Sequence, residues 1–309
     1  MSDMTGKICL VTGANNGIGF ETAKGLAAMG AEVVMVCRSK ERGEAARAKI
    51  EAETGKRPDL LLADLLLQRS VKRVAGEFRA KYDRLDVLVN VAGFAFRPRQ
   101  ETDEGFEKTF ALNYLSYFTL VMELIEPLLV ATPARIINVA SEAHRWDEVD
   151  VENLQGERDF PAGPMGPFMP MMYGWSNTYR ILFTYELAAK LKRTGVVANC
   201  LCPGFVGVWR SSVGFFVNLT SWVVGKVMGA KTPEEGAKTI LYLATDPEAG
   251  RITGKYFESG VMMESAPQTY DAALQRWLWN KSLALLGYKD APVVGAVTKW
   301  LDEYGGGAY

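Results

Sequence analysis

The stretch Thr12-Gly13-Ala14-Asn15-Asn16-Gly17-Ile18-Gly19 separates an apolar run, Ile8 to Val11, from a helical pattern that begins at Phe20. A strand that turns into a helix through glycines can hold phosphate on the free N–H groups of the helix start, and the chemistry it points to is dinucleotide binding. Gly13 suits the positive φ of a tight turn, Gly17 lets backbone approach a pyrophosphate, and Gly19 allows close helix–strand packing. A glycine-rich turn that binds nothing is the competing reading of the same residues. The end of the second apolar run adds a cation. Where a carboxylate would accept the ribose 2′-hydroxyl of NAD, Cys37-Arg38-Ser39 places a guanidinium 19 positions after Gly19. Paired charge-assisted bonds from Arg38 suit a 2′-phosphate, so NADP(H) is the expected cofactor; a solvated arginine in a connecting loop is the alternative.

Other chemistries are poorly supplied. His144 is the only histidine, which argues against a histidine-rich metal site or a Ser-His-Asp triad, and it reads as a loop or supporting residue. Cys9, Cys37, Cys200 and Cys202 lie in apolar strand-like runs, and the spacing Cys200-Leu201-Cys202 suits neither a disulfide nor a zinc knuckle, so buried thiols and no metal are expected.

Residues of this kind need a frame that brings separate loops together. Short apolar runs at Ile8 to Thr12, Glu32 to Cys37, Asp59 to Leu62, Val87 to Asn90, Arg135 to Val139, Val196 to Leu201 and Lys255 to Phe257 alternate with helical patterns. The latter span Gly17 to Met29, Lys40 to Glu53, Gln68 to Tyr82, Gly105 to Val130, Tyr173 to Arg193 and Thr232 to Thr245. That alternation predicts an α/β, single-domain Rossmann fold, a doubly wound parallel seven-stranded sheet with a C-terminal lid. The domain is expected to span 1–288, with a last amphipathic helix from Gln275 to Gly287, and 289–309 to form a tail. Two segments fall outside the alternation. Pro161 to Met172, with four prolines and four methionines, reads as a loop over a site. Phe205 to Gly229, aromatic but broken by polar residues, reads as an amphipathic lid over a hydrophobic ligand, with ordinary core-capping helices or interfacial membrane contact as weaker readings.

The 309 residues carry a formal net charge of -1, with 48% hydrophobic and 23% charged residues, a balance that suits a soluble globular protein and argues against a nucleic-acid surface. The first strand begins close to Met1 and no apolar run reaches the ~18 residues of a membrane span, so a cytoplasmic site is expected. An oligomer is compatible with the sequence.

Taken in order, the glycine loop, Asp64, Asn90-Val91-Ala92-Gly93, Asn113, Ser141 and Pro203-Gly204 resemble the short-chain dehydrogenase/reductase superfamily over roughly Gly6 to Gly287. Phrases such as Glu21-Thr22-Ala23-Lys24, Asn153-Leu154-Gln155-Gly156-Glu157 and Lys231-Thr232-Pro233 are similar to its retinol-dehydrogenase-like branch, a neighbour of the protochlorophyllide reductases. The resemblance implies a cofactor site of Gly13, Asn15, Asn16, Gly17, Ile18, Gly19, Arg38, Asp64, Leu65, Asn90, Ala92, Gly93, Pro203 and Gly204. It also implies a catalytic set in which Asn113 orders a water chain, Ser141 polarises the substrate carbonyl and Tyr173 transfers the proton. Hydroxyl donors there make physical sense, because hydride delivery to a carbonyl builds negative charge on oxygen.

Two positions depart from the family pattern. Val91 stands where a second asparagine is usual, a modest change. Tyr173-Gly174-Trp175-Ser176-Asn177 has asparagine where the family has lysine, so Asn177 is expected to hydrogen-bond the ribose without supplying charge. Arg180, three positions further on, reads as a surface or core-edge residue, with a substitute cation reaching back toward the site as the weaker alternative. The expected function is hydride transfer between NADP(H) and a bulky hydrophobic carbonyl, alcohol or conjugated double bond, with a small hydrophobic substrate as partner. Non-redox chemistry such as isomerisation on the same scaffold, an impaired NADP-binding protein, or an engineered variant are the alternatives.

Overall fold

The computed structural model describes residues 2–207 and 229–304. Apolar runs rich in Val, Ile and Leu form β1 (Ile8–Thr12), β2 (Glu32–Cys37), β3 (Asp59–Leu62), β4 (Val87–Asn90), β5 (Ala134–Val139) and, later in the chain, β8 (Val196–Cys202) and β9 (Tyr256–Glu258). All of these pair in parallel, and most are buried on both faces, as continuous apolar strands require. β1 pairs with both β2 and β4, so the chain winds one way through β1, β2 and β3 and the other way through β4, β5, β8 and β9. The carboxyl ends of β1 and β4 therefore open side by side at the switch point of the sheet, where a crevice forms.

Helices cover both faces. α1 (Gly17–Ala28) packs with the later α7 (Pro233–Thr245), burying Leu26, Ile240 and Leu243 against one face with Cys9, Val11 and Val89. The other face carries α3 (Gln68–Lys81), α5 (Ser116–Val130) and α6 (Met171–Lys190), whose Phe78, Phe118 and Phe183 share a core with Leu10 and Ile136. α2 (Lys40–Thr54), capped by the Ser39 side chain, lies beside β2 and β3. α8 (Ala272–Leu285) lays Trp279 in a stacked contact on Phe183. The four cysteines are buried thiols. Among the described residues no helix is long and apolar enough to cross a membrane.

Four sequence expectations are corrected. The sheet has eight strands, because the left-handed turn at Ser259 and Gly260 reverses the chain and adds β10 (Val261–Met263) antiparallel to β9. Pro161 to Met172 is not an open loop: β6 (Ala162–Gly163) and β7 (Gly166–Pro170) form a small hairpin, and Met171 and Met172 are buried at the start of α6. The helix expected from Gly105 begins at α4 (Lys108–Phe110) and passes through a π turn, Ala111–Leu115, before α5. The tail expected at 289–309 holds a helix in its described part, since α9 (Pro292–Tyr304) packs on α5 and inserts Val293 and Val297 into the core. The lid expected at 205–229 lies almost wholly outside the described residues.

Val293 is fully buried. Its truncation should therefore leave a small cavity in the main core rather than alter a frayed end, and Val293→Ala is expected to lower the free energy of unfolding by about 2 kcal/mol. Urea denaturation of the full chain measures this; an unchanged midpoint would return 289–309 to the status of a tail.

Candidate active site

The turn after β1 and the turn after β4 touch. Gly13, at φ +65, faces Ala92 so closely that a Cβ on it would lie 3.2 Å from the Ala92 Cα, and Gly19 packs α1 back onto the Gly13 carbonyl. The buried Thr12 hydroxyl locks the two turns, accepting from the N–H groups of Val91 (2.9 Å) and Ala92 (3.1 Å). Around this junction lies a cleft of about 530 Å³ that collects Gly13, Asn15, Asn16, Gly17, Ile18, Gly19, Arg38, Asp64, Leu65, Ala92 and Gly93. Asn16 caps α1 through its own side chain, and Asp64 accepts from the Leu66 N–H at 3.1 Å in a turn that closes the cleft's third side.

Three residues expected at the cofactor stand elsewhere. Asn90 is wholly buried in the sheet, where its amide donates to Asn138 Oδ1 at 2.9 Å, so it does not line the cleft. Pro203 and Gly204 close β8 at the same carboxyl edge without lining this cavity, and the chain from 208 to 228 lies outside the described residues. The cleft also includes Arg42, Phe94 and Phe96, which sequence reasoning missed. Arg42 was discoverable, since it lies one helical turn beyond Arg38, just inside a helix capped by Ser39.

A second cavity of about 350 Å³ adjoins the first. Its walls are Gly93, Phe94, Ala95, Phe96, Arg97, Gln100, Met169 and Tyr173. Phe94 and Phe96 set their rings 4.8 Å apart, and Met169 of the hairpin is the one methionine of the expected loop that faces this space. Met165 points to solvent. Tyr173 is half-buried on the first turn of α6, its ring 6.1 Å from Trp146. The adjacent Gly174 lets α6 approach the chain after β5, for a Cβ there would come within 2.8 Å of the Ala143 carbonyl. That chain carries Ser141, half-buried, whose hydroxyl accepts from the Ala143 N–H at 3.3 Å and caps the short 3-10 helix Glu142–Arg145.

The remaining two expected catalytic residues are occupied by the protein itself. The Asn113 side chain bridges the Phe94 N–H (2.9 Å) and the Ser176 hydroxyl (3.0 Å). Asn177 is fully buried; its amide donates to the Tyr173 carbonyl at 2.7 Å and its oxygen accepts from Arg180 at 2.9 Å. With both ends engaged, Asn177 is not open to a ribose, which corrects the role expected for it. Arg180 is likewise neither surface nor core edge. It is buried against the Asn113 and Val139 carbonyls, directly beneath the site.

His144 holds the Ser141 segment. Its Nε2 accepts from the Ala266 N–H at 3.1 Å, so the proton sits on Nδ1, which donates to the Ser141 carbonyl at 2.8 Å. Burial pushes its pKa down to about 4. Beside it, burial and the neighbouring Glu258 push Glu142 up to about 7. The ligand atoms of Glu142, Cys202 and Glu258 lie within 4.8 Å of one another, but Arg145 already pairs with Glu142 at 2.8 Å.

Comparison with known proteins agrees with this architecture. The short chain dehydrogenase family matches residues 7–149. Retinol dehydrogenase 11 of Mus musculus is 36% identical over 286 residues, covering 92% of this chain and 87% of that protein. Among solved structures, a protein from Mycobacterium paratuberculosis is 25% identical with a TM-score of 0.73, covering 93% of this chain and 96% of the other. The RhlG/NADP active-site complex of Pseudomonas aeruginosa is 26% identical with a TM-score of 0.67, covering 84% and 97%.

The depressed pKa of His144 makes stability depend on pH. As pH falls below the ordinary 6.5 the unfolded chain takes up the proton first, so this contribution is whole above 6.5 and is lost toward pH 4. Between pH 7 and pH 5 the wild type should lose about 2 kcal/mol more than His144→Gln, which no longer titrates. Chemical denaturation of both proteins at the two pH values decides it; equal losses would mean that His144 is not held neutral.

Proposed function

The chain belongs to the short-chain dehydrogenase/reductase family, in its retinol-dehydrogenase-like branch, and we propose that it moves hydride between NADP(H) and a bulky hydrophobic carbonyl or alcohol. One observation carries this reading: the cleft that begins at the glycine turn and the pocket that ends on Tyr173 share the walls Gly93, Phe94 and Phe96. A dinucleotide laid along the cleft would thus meet a substrate next to a phenol.

The donor set fits NADP(H). The start of α1 offers backbone N–H groups to a pyrophosphate, and Arg38 and Arg42 both line the end where a 2′-phosphate would lie, with no carboxylate at the end of β2 to repel it. Asp64 would accept from the adenine. When bound, the dinucleotide supplies the hydride donor or acceptor. The rest is this chain's work: Ser141 would donate to the substrate oxygen, Tyr173 would pass it a proton, and Phe94, Phe96 and Met169 would exclude water from the reacting carbon. The relatives support the choice of substrate class and cofactor, since one is named for retinol, a bulky apolar alcohol, and another is complexed with NADP.

NADPH is expected to bind more tightly than NADH, and Arg38→Ala to erase about ten- to hundredfold of that preference. Calorimetric titration of both cofactors into both proteins tests this, and equal affinities in the wild type would refute it.

Along a series of straight-chain aldehydes, kcat/KM with NADPH should climb by up to about fourfold per added carbon, the scale of burying one methylene. Met169→Ala should flatten the climb. A preference for small polar carbonyls would sink the assignment of an apolar pocket.

A further inference from the structure

Tyr173, Asn177 and Arg180 are spaced i, i+4 and i+7 on α6, so they share a face of the helix. Arg180 is only 3% exposed, and each of its three nitrogens donates a hydrogen bond. It donates to the carbonyl of Asn113 in the π turn, to the carbonyl of Val139 at the end of β5 (2.9 Å), to Asn177 Oδ1 (2.9 Å) and, more weakly, to the carbonyl of Ala92 after β4 (3.4 Å). Its carbon centre lies 4.5 Å from the Tyr117 ring centroid. Among the described residues every partner is a neutral dipole or a π face, and none is a carboxylate. The positive charge is solvated by the protein but not neutralised.

Its position relative to the cleft is set by Gly93. A Cβ there would sit 2.8 Å from an Arg180 terminal nitrogen, and Gly93 lines both the cofactor cleft and the Tyr173 pocket. The charge therefore lies immediately under the junction of the two cavities, in low-dielectric surroundings where one unpaired cation acts strongly on whatever binds above it. Asn177 suits this arrangement, because a neutral acceptor can face the guanidinium where a second cation would be repelled.

We propose that Arg180 is the fixed cation of this active site and that it makes the site prefer the neutral, reduced nicotinamide to the positively charged, oxidised one. The inference rests on the nicotinamide reading above and adds to it which form of the cofactor the site holds. Tighter binding of the reduced form loads the site with NADPH when both forms compete, the state from which a carbonyl reduction starts, in which hydride adds to the carbonyl carbon, a proton adds to its oxygen, and the cofactor leaves oxidised; the same charge makes the bound reduced form a weaker hydride donor.

The test is the ratio of dissociation constants for NADP+ and NADPH, measured by calorimetry on the full chain for the wild type, Arg180→Lys, Arg180→Gln and Asn177→Asp. The wild type should bind NADPH more tightly. Arg180→Gln, which removes the charge, should shift the ratio toward NADP+ by about tenfold, the scale of one unit charge acting over about 10 Å through a protein-like dielectric. Arg180→Lys, which keeps the charge, should hold the native ratio even if both affinities fall. Asn177→Asp sets a carboxylate against the guanidinium and should shift the ratio in the same sense as Arg180→Gln, so the question stays answerable if Arg180→Gln does not fold. A ratio that stays at the wild-type value in both Arg180→Gln and Asn177→Asp, with the two affinities weakening together, would make Arg180 a structural clamp only and overturn the proposal. Failure of the wild type to bind either cofactor would overturn the nicotinamide reading, and this inference with it.

Discussion

A buried guanidinium with no carboxylate beside it can be accommodated only where backbone carbonyls converge, and Arg180 collects three of them together with one side-chain amide. Each carbonyl belongs to a different segment: the turn after β4, the π turn before α5, and the last residue of β5. Because a desolvated cation is costly unless its donors are satisfied, those segments are held to positions where their carbonyls point inward. The π turn joins the same network, its Asn113 carbonyl accepting from Arg180 while the Asn113 side chain pins Phe94 and Ser176.

The polar groups beneath the cleft extend this network. Asn90 donates to Asn138, Asn138 to Thr184, and Thr184 back to the carbonyl of Arg180, so β4, β5 and α6 are joined by a buried chain of hydrogen bonds. Thr12 adds the turn after β1, and His144 ties Ser141 to the segment at Ala266. Residues that read in sequence as ligand contacts thus divide into two kinds. Gly13, Arg38, Asp64 and Gly93 face the cleft, whereas Asn90, Asn113 and Asn177 spend their hydrogen bonds on the frame that keeps it open.

Much of the frame was legible in the chain. Strands came from apolar runs of three to six residues, and the first glycine turn from its place between a strand and a helix. The start of α7 shows the same legibility, since Thr232, Pro233 and Glu235 spell a capping box with proline at the first helical position. The eighth strand was missed because Val261–Met263 shows no alternation of apolar and polar residues and stays exposed at the sheet edge, although Ser259-Gly260 marked the reversal. The helix at 292–304 was missed because Gly295 and the glycine run at 305–307 made the end of the chain read as a tail; it is held by Val293 and Val297 docking on a surface that α5 provides only after folding.

Sequence by itself determined the order of elements, the glycine turn, the cation at the end of β2 and the phenol at the start of α6, because each depends on residue type and near-neighbour spacing. Tertiary structure alone decided which side chains those elements would leave open to a ligand. Asn177 and Arg180 show the difference: three residues apart on one helix, their roles turn on carbonyls contributed from positions 92, 113 and 139. A hydrogen bond to a carbonyl nearly ninety positions away leaves no mark in local spacing, so the burial of that charge could be read only once the strands had brought the carbonyls together.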